Sequence, residues 1–180
     1  MYLKEAIKID PVIHFSSQDF PAPEGWSMVL FIYGCDFRCK NCSNKHLHTY
    51  DHPEAVEITE NALVNKVLKT GGSNKVTKLT LLGGDPFSEQ NRNFVLNFCK
   101  RVYDYLDVCV YTGHEVDFVK TLNFNNFTFL KCGLFDENKY QMPEKTNEYM
   151  QFASSNQKLY DNNFNLLSNN GKYLFKEINK

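Results

Sequence analysis

Three of the six cysteines fall in the stretch GCDFRCKNCSN, where Cys35, Cys39 and Cys42 stand at C-x3-C-x2-C spacing. Such short gaps bring the three sulfurs to one side of a sharply turning loop. Three thiolates can hold three irons of a cubane cluster and leave the fourth iron open to a non-protein ligand, an option that a four-cysteine electron carrier closes. The same loop permits a second chemistry, a tetrahedral zinc held by Cys35, Cys39 and Cys42 together with His46 or His48. A third reading, cysteines that are merely buried, suits the hydrophilic DFRCKNC poorly.

Two further stretches carry residues fit for binding. LTLLGGDPFSEQ places Gly83 and Gly84 at the end of an apolar run, followed by Asp85 and Pro86. Paired glycines leave an open backbone edge, and with a nearby carboxylate that edge suits the ammonium group of an amino acid. Taken alone, GGDP reads equally well as a tight strand-to-helix turn. VYTGHE sets Tyr111, Thr112 and Gly113 at the end of another apolar run.

These stretches need elements to hold them. MVLFIYG (28–34) is a continuous apolar run closed by glycine and predicts a strand buried on both faces. ITENALVNKVLK (58–69) predicts a first helix on the spacing of Ala62, Leu63, Lys66, Val67 and Leu68, with Gly71 and Gly72 as its stop. KVTKLTLLGG (75–84) predicts a second strand. EQNRNFVLNFCKRVYDYL predicts a second helix, capped by Ser88 and striped with Phe94, Val95, Phe98, Val102 and Leu106. DVCVYTG, EVDFVKTL and FTFLKCG follow as strand, short helix and strand. The alternation predicts an α/β fold with a mostly parallel open sheet and outer helices. The last third departs from it, with a polar loop and two short strands expected around a turn at Asn170 and Gly171. Cys99 and Cys109 fall on apolar positions and read as packing, and Cys132 ends a strand.

With 180 residues, the chain is long enough for one well-filled domain, and no repeat or linker divides it, so a single domain over 1–180 is expected. Twenty basic and 21 acidic residues give a net charge of -1 without long runs, which offers no footprint for nucleic acid or an anionic membrane. The opening MYLKEAIKIDPVIHF lacks a signal-peptide core and no apolar run has the length of a span, so a cytoplasmic location is expected. In that reducing setting a tight cysteine cluster points to metal ahead of disulfides.

Together, the cysteine spacing, GGDP, the approach EGWSMVLFIYGC, VYTGHE and ASSNQKL (153–159) carry a resemblance. The sequence resembles the radical S-adenosylmethionine (SAM) superfamily, and within it the activating enzymes of anaerobic (class III) ribonucleoside-triphosphate reductase. The resemblance covers most of the chain. Ser27, Cys132 and Ala153 stand where that family commonly has arginine, aspartate and glycine.

The resemblance implies an incomplete (β/α) radical SAM barrel, in which Cys35, Cys39 and Cys42 ligate a 4Fe-4S cluster whose open iron is chelated by SAM. It implies that Gly83, Gly84 and Asp85 position the methionyl amino group and that Tyr111, Thr112 and Gly113 line the adenosine side. The implied activity is reductive cleavage of SAM and formation of a glycyl radical on the large subunit of the reductase. The electron would come from a low-potential donor such as flavodoxin or ferredoxin. Two rivals stand beside it: a radical SAM enzyme acting on another glycyl radical protein, a peptide or a small molecule, and a non-catalytic zinc-binding interaction module.

Overall fold

The computed structural model describes residues 6–175, so residues 1–5 of the opening segment and the last positions of the final expected strand lie outside the described residues. In chain order the strands and helices are β1 (Ala6–Ile9), β2 (His14–Ser16), β3 (Ser27–Ile32), β4 (Val56–Thr59), α1 (Glu60–Asn74), β5 (Lys78–Gly83) and α2 (Arg92–Val102). They continue with β6 (Asp107–Tyr111), α3 (Val116–Thr121), β7 (Phe129–Cys132), β8 (Glu144–Lys145), β9 (Tyr149–Gln151), β10 (Lys158–Asp161) and β11 (Lys172–Leu174).

The four apolar runs that the sequence marks as strands become β3, β5, β6 and β7, and they pair side by side in parallel. Parallel neighbours require crossovers, which α1, α2 and α3 provide. Alternation along the strands then sorts the side chains by face. Leu30, Leu79, Leu81, Val108, Val110 and Leu130 pack with Leu63, Val64 and Val67 of α1 and with Phe94, Val95, Phe98 and Val102 of α2 in one buried cluster. Each such aliphatic or aromatic side chain contributes about 1.5–3 kcal/mol by leaving water. The opposite face carries Phe31 in register with Leu82, and Tyr111 in register with Lys131.

Antiparallel strands flank this parallel centre, a feature the alternation of strand and helix did not announce. On one side β1 meets β3 through Ile9 and Ile32 and then pairs with β4, while β2 runs along β3 with His14 opposite Val29. On the other, β10 pairs with β7, with Lys158 opposite Cys132. A separate small sheet has the order β11, β9, β8.

Three local expectations are corrected. The first helix does not stop at Gly71 and Gly72 but runs to Asn74, where Lys75 caps it at a φ of 55°. Gly71 serves close packing instead: a Cβ there would stand 2.8 Å from the Val76 carbonyl and 3.0 Å from the Met28 side chain. Ser88 does not cap the second helix, which begins four residues later at Arg92; its hydroxyl donates to the Asp85 and Gly34 carbonyls. In the last third the turn at Asn170 and Gly171 forms with positive φ at both residues and is closed by an antiparallel bridge between Asn169 and Lys172, but the segment before the turn forms no strand of its own and β11 takes β9 as its strand partner.

Candidate functional site

The cysteine loop leaves β3 at Gly34 and is closed at its base by backbone bonds, from Gly34 N–H to Leu47 O at 2.8 Å and from Cys35 N–H to His48 O at 3.1 Å. Leu47 is buried and anchors the returning strand of the loop. Within the loop Asn41 takes a φ of 55°, which turns the chain between Cys39 and Cys42. Asp36 ties the loop to the rest of the protein: its carboxylate accepts from Tyr50 Oη at 3.1 Å and from the Glu89 amide at 2.7 Å.

The GGDP turn passes directly under this loop. Gly84 N–H donates to Ile32 O at 2.7 Å and Asp85 N–H donates to Gly34 O at 2.8 Å. Gly83 has a φ of 129°, and a Cβ on it would meet backbone atoms of Ile32 at 2.5–2.6 Å. A Cβ on Gly84 would stand 2.2 Å from the Gly34 carbonyl oxygen. The paired glycines therefore let two backbones touch, which brings the end of β5 against the start of the cysteine loop.

A buried side chain that sequence reasoning missed locks this contact. Asn91 is fully buried, and its Nδ2 donates to Tyr33 O at 3.0 Å, to Asp85 O at 3.2 Å and to Ser88 Oγ at 3.1 Å. The only forewarning was an asparagine just ahead of an apolar helical stripe.

Asp85 is buried beside the cavity, and its carboxylate is held by the protein itself. Oδ1 accepts from Phe87 N–H at 2.7 Å, both oxygens accept from Thr112 Oγ1 at 2.9 and 3.0 Å, and Oδ2 accepts from Gly113 N–H at 2.6 Å. Burial pushes its pKa up to about 6, opposed by these hydrogen bonds. Asp85 thus stitches the end of β5 to the end of β6. Tyr111 is tied down likewise, its hydroxyl donating to Asp19 O at 2.7 Å.

All nine residues singled out by sequence (Cys35, Cys39, Cys42, Gly83, Gly84, Asp85, Tyr111, Thr112 and Gly113) line one cavity of about 310 Å³. It opens at the C-terminal ends of the parallel strands, where open α/β sheets bind ligands. The fold adds residues that no motif marked: Phe31, Leu82 and Lys131 from the sheet face, and Asp19, Phe37, His48 and Phe135 from loops. The Lys131 ammonium lies over the Tyr111 ring at 4.5 Å and the Phe152 ring at 5.2 Å, and burial lowers its pKa to about 8. Among the histidines that follow the loop, His48 reaches this cavity, whereas His52 stacks on Tyr33 with ring centroids 5.0 Å apart. Cys99, Cys109 and Cys132 are buried away from solvent, and burial pushes their thiols up, so they stay protonated and pack. Asn156 and Gln157 bond to backbone, at Leu134 O and Gly133 O.

The thiol set fits an iron–sulfur cluster. Burial pushes the Cys35 thiol up to about 12 and raises Cys39 as well, with mutual repulsion among the three sulfurs adding to the shift. Three thiolates in such a place need a cationic centre, which displaces the protons as it binds. Two backbone amides work against that shift, Phe37 N–H by favouring charge on the Cys35 sulfur and Phe135 N–H on that of Cys39, as outer-shell donors do around cluster ligands. Among the described residues, no group of three His, Cys, Asp or Glu side chains is gathered to hold a metal ion. A cubane takes one thiolate to each iron.

Comparison with known proteins agrees with this chemistry. The family described as 4Fe-4S single cluster domain matches residues 23–160. The anaerobic ribonucleoside-triphosphate reductase-activating protein of Enterobacteria phage T4 is 27% identical over 147 residues, 80% of this chain and 89% of its own length. The protein of the same name from Pasteurella multocida is 24% identical over 157 residues, 82% of this chain and 95% of its own. A putative glycyl-radical enzyme activating enzyme of Methanocaldococcus jannaschii is 24% identical over 113 residues, 63% of this chain and 42% of its own.

Proposed function

This chain belongs to the 4Fe-4S single cluster domain family, and from that premise we propose that it is a radical SAM activase that makes a glycyl radical on anaerobic ribonucleotide reductase. The observation that carries the reading is the meeting of three thiols with the ends of β5 and β6 around one cavity. In this reading the chain is a single radical SAM domain of cytoplasmic location, and its open sheet is an incomplete (β/α) barrel. Among the described residues no helix is long and apolar enough to cross a membrane.

Cys35, Cys39 and Cys42 would hold a 4Fe-4S cluster, and the residues at the ends of β5 and β6 would hold SAM. When bound, the pair supplies an electron to the sulfonium and a carbon radical that takes a hydrogen atom from a glycine α-carbon of the partner. The chain's own part is placement. Gly83 and Gly84 set the distance between the cluster loop and the ligand-binding strand end, because any side chain there would drive them apart. Asp85 acts on the methionyl end through the backbone it fixes, holding Thr112 and Gly113 against the end of β5. Phe31, Leu82 and Tyr111 offer an apolar floor that keeps water from the reacting atoms. The partner, the large glycyl radical subunit, would present its glycine at the open side of the cavity, and a flavodoxin or ferredoxin would deliver the electron.

Mixing the anaerobically loaded protein with the large reductase subunit, SAM and a low-potential reductant tests this. The expected result is a glycyl-radical doublet in the electron paramagnetic resonance (EPR) spectrum, with 5'-deoxyadenosine and methionine as products. Deoxyadenosine without a radical on the reductase would move the target to another glycyl radical protein, a peptide or a small molecule.

A further inference from the structure

Glu137 belongs to no motif, yet its carboxylate reaches the cysteine loop. Oε2 accepts from Asn41 Nδ2 at 2.6 Å, and Oε1 pairs with the Lys40 ammonium. Lys40 and Asn41 are the two residues between Cys39 and Cys42. The piece gripped is thus the left-handed turn that sets how those two sulfurs are presented.

Glu137 begins a short turn, Glu137–Lys139, in the segment that follows β7. Two residues earlier in that segment, the Phe135 backbone amide favours negative charge on the Cys39 sulfur, against the larger opposing effect of burial. The segment is pinned from its far side as well. Asn156 Nδ2 donates to Leu134 O at 2.8 Å, Asp136 N–H donates to Ser154 Oγ at 3.3 Å, and Ser155 N–H donates to Lys139 O at 3.0 Å. One face of the segment is held by 154–156, and the other holds the cysteine loop.

We propose that Glu137 is a positioning residue for the cluster: by clamping Lys40 and Asn41 it keeps the Phe135 amide on the Cys39 sulfur, and so sets the potential at which the cluster accepts its electron. The proposal rests on the reading of Cys35, Cys39 and Cys42 as cluster ligands. An N–H dipole aimed at a ligand sulfur stabilises negative charge, and the reduced cluster carries one electron more than the oxidised one. Losing that alignment makes the cluster harder to reduce. The Lys40 side chain is 78% exposed and that of Glu137 24%, so the ion pair is screened from one end and contributes modestly to folding stability. The signature is therefore a shift in potential shared by Glu137→Ala and Asn41→Gly whatever their melting temperatures, which a merely structural contact would not produce.

The test uses Glu137→Ala, Glu137→Gln, Asn41→Gly and the double variant Glu137→Ala/Asn41→Gly, each as the full chain loaded with iron and sulfide. Glycine at position 41 keeps the positive φ while deleting the side chain that Glu137 grips. EPR-monitored titration with dithionite and mediators gives the potential, and thermal melting of the metal-free chains reports folding. Glu137→Ala and Asn41→Gly should each shift the reduction equilibrium about tenfold, about 59 mV more negative for a one-electron couple. The double variant should shift no further than either single, because both remove the same contact. Glu137→Gln keeps an acceptor for Asn41 and should keep most of the wild-type potential. Wild-type potentials in folded Glu137→Ala and Asn41→Gly would overturn the proposal, as would shifts that add in the double variant. If the wild-type chain itself holds no iron, the cluster reading falls first.

Discussion

The sharpest consequence of the geometry concerns Gly84. A Cβ at that position would stand 2.2 Å from the Gly34 carbonyl oxygen and 2.8 Å from that of Leu47, where ordinary contact begins near 3.4 Å. Gly84→Ala must therefore push the Gly34 carbonyl back by about 1.2 Å. That carbonyl accepts from Asp85 N–H, and the residue after it is Cys35. Overpacking plus one strained hydrogen bond should cost about 2–4 kcal/mol. A chain of this length would then melt roughly 5–10 °C lower. A displacement near 1 Å at the cluster loop should slow SAM cleavage by about 100-fold in whatever fraction still loads iron. Gly72→Ala is the matched control, since no atom lies within 4 Å of the added Cβ and the site is inside α1. That variant should be stabilised by about 0.5–1 kcal/mol and keep full activity. Melting of the metal-free chains, iron per chain after loading, and deoxyadenosine release measure all three effects. A Gly84→Ala protein that melts, loads and turns over like the wild type would refute the close-approach argument.

Other perturbations follow from the same contacts. Asn91→Ala removes the donor that Nδ2 gives to the Tyr33 carbonyl and should cost about 1–3 kcal/mol in denaturant unfolding, with poorer iron retention. The pH dependence turns on Asp85, whose folded pKa of about 6 lies above its ordinary 3.8. The folded carboxyl binds its proton more tightly than the unfolded one, so this group favours folding most below the unfolded value. Its contribution declines as pH rises towards 6, by on the order of 3 kcal/mol in all. Asp85→Asn should remove that slope from the metal-free chain's stability between pH 4 and 6; an unchanged slope would count against it. Replacing Cys35, Cys39 or Cys42 by alanine should abolish cluster loading, whereas alanine at Cys99, Cys109 or Cys132 should leave iron content intact and lower only stability.

The parallel centre was legible because a strand buried on both faces must be apolar throughout, and 28–34, 75–84, 107–113 and 127–133 are close to that. The antiparallel flanks were less so. β1 and β10 have four residues each and gain their pairing from strands distant in sequence, which no local pattern encodes. Gly71 and Gly72 read as a helix stop, but packing of Gly71 against Met28 carries α1 through them. In the site, cysteine spacing and paired glycines leave a local mark, so those residues could be named. Lys131, Asp19 and Phe135 leave none, since they reach the cavity only through sheet register and loop closure. Nor does sequence reveal where a side chain points: Asp85 was found by its motif, while its bonds to Phe87, Thr112 and Gly113 emerge only from the fold.

The central claim, an open-iron cluster held by Cys35, Cys39 and Cys42, is tested most directly by EPR of the anaerobically loaded, dithionite-reduced protein with and without SAM. A reduced-cubane signal that SAM perturbs, and that Cys39→Ala lacks, is the expected result. Stoichiometric zinc, no iron signal and no response to SAM would contradict the account and make the cysteine loop a structural metal knot.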